Sequence, residues 1–342
     1  MFNKSFSIPV IVIFIVLNVF VNADDVTKTG TTAAKFLSIG IGARANAMGG
    51  SFSSIADDAS ALYWNPAGIS YIDSYQGLFT YTSMFADINL NYFGIVIPGG
   101  EFGNFGFSVT ALDYGDMEVT TEENPDGIGL TFSANSFAFG LSYGRKITEN
   151  LVLGATVKYI KESISNSSAE GISFDIGTIF NTPFYGIRFS SSISNYGTKM
   201  KMEGEDLLVR HDPDPTSRGT NSAIDANFST DEFELPLKLQ IGLSRDFYVM
   251  ENQRLTLSVD AAHPNDNSQY VNMGGELALF NETVFLRGGY KTLFLVDSQE
   301  GLTLGFGLHY EGLELFALSV DYSYQKLDYL DNVHSFGLMI DF

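Results

Sequence analysis

From about Ser74 to Phe342, apolar and polar residues alternate along the chain in long segments separated by turns. Leu255, Leu257, Val259 and Ala261 alternate with Thr256, Ser258 and Asp260. Leu302, Leu304, Phe306, Leu308 and Tyr310 alternate with Thr303, Gly305, Gly307 and His309. The runs Leu237 to Ser244 and Leu151 to Tyr159 behave the same way. A period of two puts one set of side chains on each face of a sheet. Sandwich strands are usually about 5–6 residues long, whereas about 9–11 residues cross a bilayer as a tilted strand. The longer figure fits here. Fourteen segments are predicted: about 74–85, 89–98, 103–114, 135–146, 150–163, 170–180, 186–197, 236–247, 253–263, 269–280, 283–292, 301–310, 315–326 and 334–342. An even count closes an antiparallel barrel with both termini on one side.

The connections give an independent check. Numbered in order, the even ones are short: Gly99 to Phe102, Ile147 to Glu149, Asn181 to Tyr185, Tyr248 to Asn252, Asn281-Glu282 and Glu311 to Glu314. The odd ones include all the long ones, among them Gly115 to Ala134, Thr198 to Leu235 and Leu327 to Val333. Short periplasmic turns opposite longer outer loops are the asymmetry of outer-membrane barrels. The last strand ends Phe336-Gly337-Leu338-Met339-Ile340-Asp341-Phe342 and resembles the C-terminal signal of such barrels, with Phe336, Leu338, Ile340 and Phe342 expected on the lipid face.

The chain before Ser74 has a different texture. Lys4 followed by the apolar run Ile8 to Val21 and by Val21-Asn22-Ala23 reads as a signal peptide, residues 1–23, cleaved after Ala23. Residues 24–70 are rich in Gly and Ala without strand alternation and are expected to form a hatch, a plug in the lumen of a barrel formed by 71–342. The expected fold is therefore all-β: a 14-stranded antiparallel transmembrane β-barrel with an N-terminal luminal plug. Composition agrees, with 29 Phe and 17 Tyr to supply interfacial girdles. The absence of Cys excludes disulfides, thiolate metal sites and a lipidated N-terminal Cys. A net charge of −21 weighs against nucleic acid as a partner.

The chain is organised around Ala56 to Ser70. Asp57 to Tyr63 reads as about two helical turns with Asp57 or Asp58 as N-cap. Pro66 disfavours helix at Asn65, and Pro66-Ala67-Gly68 is a turn. Trp64, the single Trp, sits at the junction. A plain helix-stop-turn accounts for the spacing. Yet Gly42-Ala43-Arg44-Ala45-Asn46-Ala47-Met48-Gly49-Gly50, Ala56 to Ala61 and Asn65-Pro66-Ala67-Gly68, in that order, resemble the N-terminal signature of the PorV/PorQ family. The Ala-Asp-Asp-Ala-Ser and Asn-Pro-Ala-Gly pieces also look like the hatch of the FadL long-chain fatty acid transporters. The resemblance implies an outer-membrane barrel of a Gram-negative-type bacterium, and plug residues Asp57, Asp58, Trp64, Asn65, Pro66 and Gly68.

The polar faces of the strands supply luminal candidates: Lys158, Asp175, Arg188, Lys238, Gln240, Asp260, Glu276, Arg287, His309 and Asp321. Ionisable groups at membrane depth require a watery or paired interior, so mutual salt bridges are the plain expectation and a substrate path the functional one. Asp57 and Asp58 are expected to pair with luminal Lys and Arg and so hold the plug. Gly40-Ile41-Gly42-Ala43-Arg44-Ala45 imitates a dinucleotide fingerprint but lacks a βαβ unit. Gly140-Leu141-Ser142-Tyr143-Gly144 matches G-x-S-x-G but lies in a strand, where Ser142 should face the lumen. His211, His263, His309 and His334 are scattered. No catalytic residue, cofactor or metal site is assigned. The acidic loop residues, from Asp116 to Asp126 and from Glu203 to Glu232, are expected to be solvated, with calcium or divalent-bridged lipopolysaccharide contact as the alternative. His211 to Pro215 is a stiff, extended piece.

Two functions follow from the resemblance. The PorV/PorQ reading implies capture of secreted cargo, or contact with a surface attachment machinery, at the outer loops in type IX secretion. The FadL-like reading implies uptake of fatty acids or other hydrophobic small molecules. A scaffold or adhesion role is the third. Outer-membrane lipid and lipopolysaccharide are the expected surroundings. Length and the acidic character of Thr198 to Leu235 favour the first.

Overall fold

The computed structural model describes residues 29–212, 224–313 and 316–342. The expected signal peptide and the Pro213 to Pro215 end of the expected stiff loop piece lie outside the described residues. Fourteen long strands dominate: β1 (Gln76–Ser83), β2 (Asn89–Ile97), β3 (Asn104–Glu118), β4 (Thr131–Lys146), β5 (Leu151–Ile164), β6 (Ser167–Asn181), β7 (Ile187–Gly197), β8 (Lys238–Met250), β9 (Gln253–Pro264), β10 (Tyr270–Leu279), β11 (Val284–Leu293), β12 (Glu300–Leu313), β13 (Phe316–Leu327) and β14 (Val333–Asp341). Each pairs antiparallel with its neighbours in sequence, and β1 pairs with β14, so the sheet closes on itself. All fourteen expected segments are present. In the closing pair, Tyr81 lies opposite Phe336 and Phe79 opposite Leu338. The seam is clipped at its end by reciprocal backbone bonds between Tyr75 and Phe342 and by their stacked rings, 5.8 Å apart.

The two faces of each strand are those the alternation predicts. Leu257, Val259, Leu302, Leu304, Phe306 and Leu308 are exposed outward, while Thr256, Ser258, Asp260 and Thr303 are buried within. Phe336, Leu338 and Phe342 are outward, and Ile340 is half-buried on the same face. No helix is long and apolar enough to cross a membrane among the described residues; the crossing is made by strands. The short connections 98–103, 147–150, 182–186, 251–252 and 280–283 share the end that holds both strand termini, which is the periplasmic end by the barrel rule.

Two boundaries differ from expectation. The loop expected from Gly115 to Ala134 shrinks to 119–130, because β3 and β4 continue pairing past a bulge between Asp113 and Asp116. The polar residues there rise above the membrane, where lipid does not demand alternation. The connection 198–237 is partly folded. Glu203–Gly204 pairs with the outer end of β6, Met200–Lys201 with Glu232–Phe233, and Leu208–His211 with Ile224–Asn227.

Residues 33–72 lie inside the barrel. Ala45, Ala47, Met48, Phe52, Ala56, Ala59, Ala61 and Ile69 are wholly or almost wholly buried. The backbone is a series of short turns: Lys35–Ser38, the helical turns Ala43–Ala47 and Ala61–Trp64, and the 3-10 turn Pro66–Tyr71. The expected two-turn helix from Asp57 is therefore one turn beginning at Ala61, with Ser60 at its N-cap. Asp58 instead accepts bonds from the Ser60 amide (2.9 Å) and hydroxyl (2.5 Å), a local turn that competes with helix. Asn65 ends the helix in extended geometry, and its side chain accepts from the Ala67 amide at 3.2 Å.

Small residues on the strands let this segment approach the wall. A Cβ added at Gly154 would collide with the Pro66 and Ala67 backbone, and one at Gly177 with the Asn65 side chain. Backbone cannot step aside as a flexible side chain can, so overpacking at Gly154 should cost about 1–3 kcal/mol or expel the segment. Gly154→Val should make residues 33–72 protease-sensitive while leaving strand content by circular dichroism unchanged. Gly275→Ala is the control, since a Cβ there meets only ordinary contacts.

Candidate functional site in the lumen and at the outer mouth

The buried segment is fixed to the wall at three levels. At the outer end, Asp266, which follows β9, accepts from Thr32 Oγ1 (2.9 Å) and Lys35 Nζ (2.5 Å). The Ala34 amide donates to Glu162 of β5 and the Ala33 amide to the Glu234 carbonyl of the long loop, both at 2.9 Å. At mid-depth, Asp260 Oδ2 accepts from the amides of Phe52 (3.0 Å) and Ser53 (2.9 Å) and from Gln240 Nε2 (2.7 Å). At the periplasmic end, Asn104 donates to the carbonyls of Ile69 (2.7 Å) and Ile72 (2.6 Å). The segment thus runs from the outer mouth to the periplasmic rim.

The strongest link is ionic. Arg44 grips Glu276 of β10 through two nitrogens, at 2.9 and 3.2 Å, and reaches Asp57 at 2.7 Å and Asp58 at 2.8 Å with a third. Its guanidinium lies 5.2 Å from the Phe52 ring centroid. Asp57, Glu276 and Asp58 surround the Arg44 charge and compensate its burial. This corrects the expected pairing. Asp57 and Asp58 bond to a cation of their own segment, and the barrel contributes a carboxylate. The polarity is reversed because Arg287, Arg188 and Lys158 already have wall partners. Arg287 bridges Glu276 at 2.8 Å and also pairs with Asp321. Arg188 pairs with Asp246 at 3.0 Å, and Lys158 with Asp175 at 2.7 Å.

The remaining expected residues fall as follows. Trp64 donates from Nε1 to the Ile41 carbonyl at 2.7 Å. Asn65 Nδ2 donates to the carbonyls of Ser53 (3.0 Å) and Thr178 (3.2 Å), joining segment to wall. Pro66 and Gly68 are buried; a side chain at Gly68 would strike the Ala56 carbonyl. Tyr63 donates to the Leu37 carbonyl at 3.1 Å. Ser142 sits inside β4, hydrogen-bonded to Thr156 at 2.7 Å, with no helix following, so the esterase elbow is not formed. His309 bonds to Ser319 and Glu311. No cluster of three or more metal-ligating groups occurs among the described residues.

Lys238 lies differently from the other luminal cations. Its Nζ sits 5.5 Å from the Trp64 ring centroid and 5.9 Å from that of Tyr63. It faces a cavity of about 710 Å³ that opens at the outer mouth. Lys35, Ile39, Asn46, Lys291, Leu295 and Leu330 also line this vestibule. Its floor is the buried segment, and its rim is built from the connections after β9, β11 and β13. Arg44 and Lys35, the cations that hold the segment, were not foreseen from the sequence.

The profile of the family described as type IX secretion system protein PorV matches residues 22–263. The chain belongs to the PorV family. It is an outer-membrane β-barrel of the PorV type. Its fold is shared with a FadL homologue from Pseudomonas aeruginosa, at a TM-score of 0.54 and 13% identity over 88% of this chain and 96% of that one. The toluene transporter TodX of Pseudomonas putida gives 0.55 and 14%, covering 88% and 97%. The monoaromatic hydrocarbon channel CymD gives 0.53 and 12%, covering 88% and 96%. At such identities the likeness is one of fold. A comparison with curated protein sequences finds no match.

Removing the Arg44 charge leaves half-exposed Asp57 to solvent, leaves Asp58 with its Ser60 bonds alone and takes one of the cations from buried Glu276. Breaking a buried pair costs about 3–5 kcal/mol, and Arg287 retains some of Glu276 here. Arg44→Gln should therefore loosen the segment by about 3 kcal/mol, raising hydrogen exchange across 43–64 while leaving the strands protected. Unchanged exchange would show that the backbone bonds to Asp260 suffice.

Proposed function

We propose that this chain, exported by the signal peptide at residues 1–23 to the outer membrane of a Gram-negative-type bacterium, holds a secreted cargo protein or an attachment partner at its outer loops. Residues 24–70 act as the plug, and Asp57, Asp58, Trp64, Asn65, Pro66 and Gly68 keep its shape. The protein works by binding, without catalysis. The family match over residues 22–263 carries this reading. The three levels of bonding between segment and wall support it, because a lumen so filled serves poorly as a path. The outward apolar band meets lipid, with lipopolysaccharide around the outer loops.

The vestibule favours a second reading, FadL-like uptake. A cavity of about 710 Å³ with apolar lining and Lys238 at its floor suits a long-chain carboxylate entering from outside. An exit through the wall would need an irregular strand pair, and the one between β6 and β7 is bonded closed. At the register shift between β6 and β7, left-handed Asn195 bonds to Asp175, Lys158 and the Pro236 carbonyl.

Native mass spectrometry of the full-length protein, solubilised gently from its own outer membrane, separates the two. A stoichiometric exported protein is the expected result, and an apolar adduct with no protein would overturn it. If uptake operates, Lys238→Met should weaken binding of a long-chain carboxylate about tenfold, the scale of one charged hydrogen bond. Equal binding by wild type and variant would remove Lys238 from that reading.

A further inference from the structure

Two outer loops carry exposed apolar side chains beyond the strand ends. They are 294–299, between β11 and β12, and 328–332, between β13 and β14. Phe294 is 78% exposed, Val296 82% and Tyr329 86%, although all three lie beyond the strand ends. The first loop holds them at an energetic cost. Thr292, Phe294 and Asp297 are all left-handed, with φ of 51°, 70° and 57°, a region that side chains with a Cβ avoid.

The conformation is braced. The Thr292 amide donates to Asn272 at 2.8 Å, the Leu295 amide to the Thr292 carbonyl at 3.2 Å, and the Thr292 and Ser298 hydroxyls meet at 2.5 Å. The Asp328 amide donates to the Gln299 carbonyl at 3.2 Å and ties the second loop to the first. The result is a braced platform of two loops, tied to one another, that holds these apolar side chains out in water. Exposed apolar clusters of this kind mark binding surfaces, and strain held by surrounding bonds marks sites under functional demand.

Charge selects the occupant. Asp297, Asp328 and Asp331 are exposed around the platform. Anionic lipid headgroups would be repelled by this fence, whereas a polypeptide with lysine or arginine beside its apolar residues would be complementary to it. We propose that loops 294–299 and 328–332 dock an apolar segment of an exported protein flanked by basic residues. The inference rests on the partner-binding reading above and assigns its contact surface.

The chain has no Cys, so Val296→Cys gives a single site for a fluorescent label in nanodiscs. A water-exposed label, unquenched by brominated lipid, is expected; quenching by lipid would overturn the proposal. Two short synthetic peptides of equal apolar content, one flanked by Lys and one by Glu, are then titrated onto the full-length protein in neutral-lipid nanodiscs. The Lys-flanked peptide should bind about tenfold more tightly and weaken with salt. The triple variant Phe294→Ser, Val296→Ser, Tyr329→Ser should lose at least about tenfold, and Asp297→Asn, Asp328→Asn, Asp331→Asn should erase the preference. Heat-modifiability on gels confirms that each variant is a closed barrel. If an exported protein co-purifies equally with wild type and the triple Ser variant, the platform is refuted while the functional reading survives. If none co-purifies with wild type, the functional reading itself fails.

Discussion

In hydrocarbon a backbone amide or carbonyl has no water to bond, so a sheet can cross only if its ladder closes. Closure of β1 on β14 is the constraint on which the rest of this molecule depends. It fixes the even strand count, puts both ends of the sheet at one rim, and divides every strand into a lipid face and a luminal face. An open edge at the Gln76–Ser83 strand would leave a row of unpaired groups in lipid. The C-terminal residues complete that seam, which explains why Phe336 and Leu338 are outward and sit directly opposite Tyr81 and Phe79.

Closure also creates the interior problem. The luminal faces carry Lys, Arg, Asp and Glu at membrane depth, and each buried charge must find a partner. Wall residues satisfy most of one another, as in Arg287 with Glu276 and Asp321, but Asp260 and Glu276 retain acceptor capacity directed inward. The N-terminal segment supplies the missing donors: two amides for Asp260 and one guanidinium for Glu276. Segment and wall are therefore mutually required. The Gly154 and Gly177 positions show the steric counterpart, with the wall pared to backbone where Asn65 and Pro66 press against it.

The sequence made the barrel legible because lipid enforces alternation residue by residue, and the strand count emerged from that alone. Accuracy fell where lipid no longer constrains the chain, as in the polar extensions of β3 and β4 beyond Asp113. The luminal segment was legible only through its motif. It lacks a period, and its contacts join residues more than 200 positions apart, such as Arg44 with Glu276. Asp57 and Asp58 were expected to meet a basic wall, whereas both bond to Arg44 of their own segment. Their acidic character suggested a basic wall, while the cation stood only 13 and 14 residues earlier, inside a Gly- and Ala-rich run that reads as packing. A lone Arg in an otherwise small-residue stretch was the available signal. Nothing in the pattern marked Phe294 and Val296, because an apolar residue after a strand looks like more strand until the left-handed backbone is seen.

The same constraint bears on where this protein can act. Movement through the lumen would require the Arg44 cluster and the Asp260 bonds to open together at membrane depth, where exposed charge is most costly. Movement at the outer mouth requires none of that. The loops there stand in water, are joined to one another by a few backbone and side-chain bonds, and meet the buried segment at Asp266 and Glu234. A partner seated on the rim would meet side chains already held out in water, and the barrel interior would not have to rearrange. Physical economy therefore accords with the proposal of recognition at the outer loops above a rigid lumen, and in a barrel of the PorV family built this way a platform costs less rearrangement than a channel.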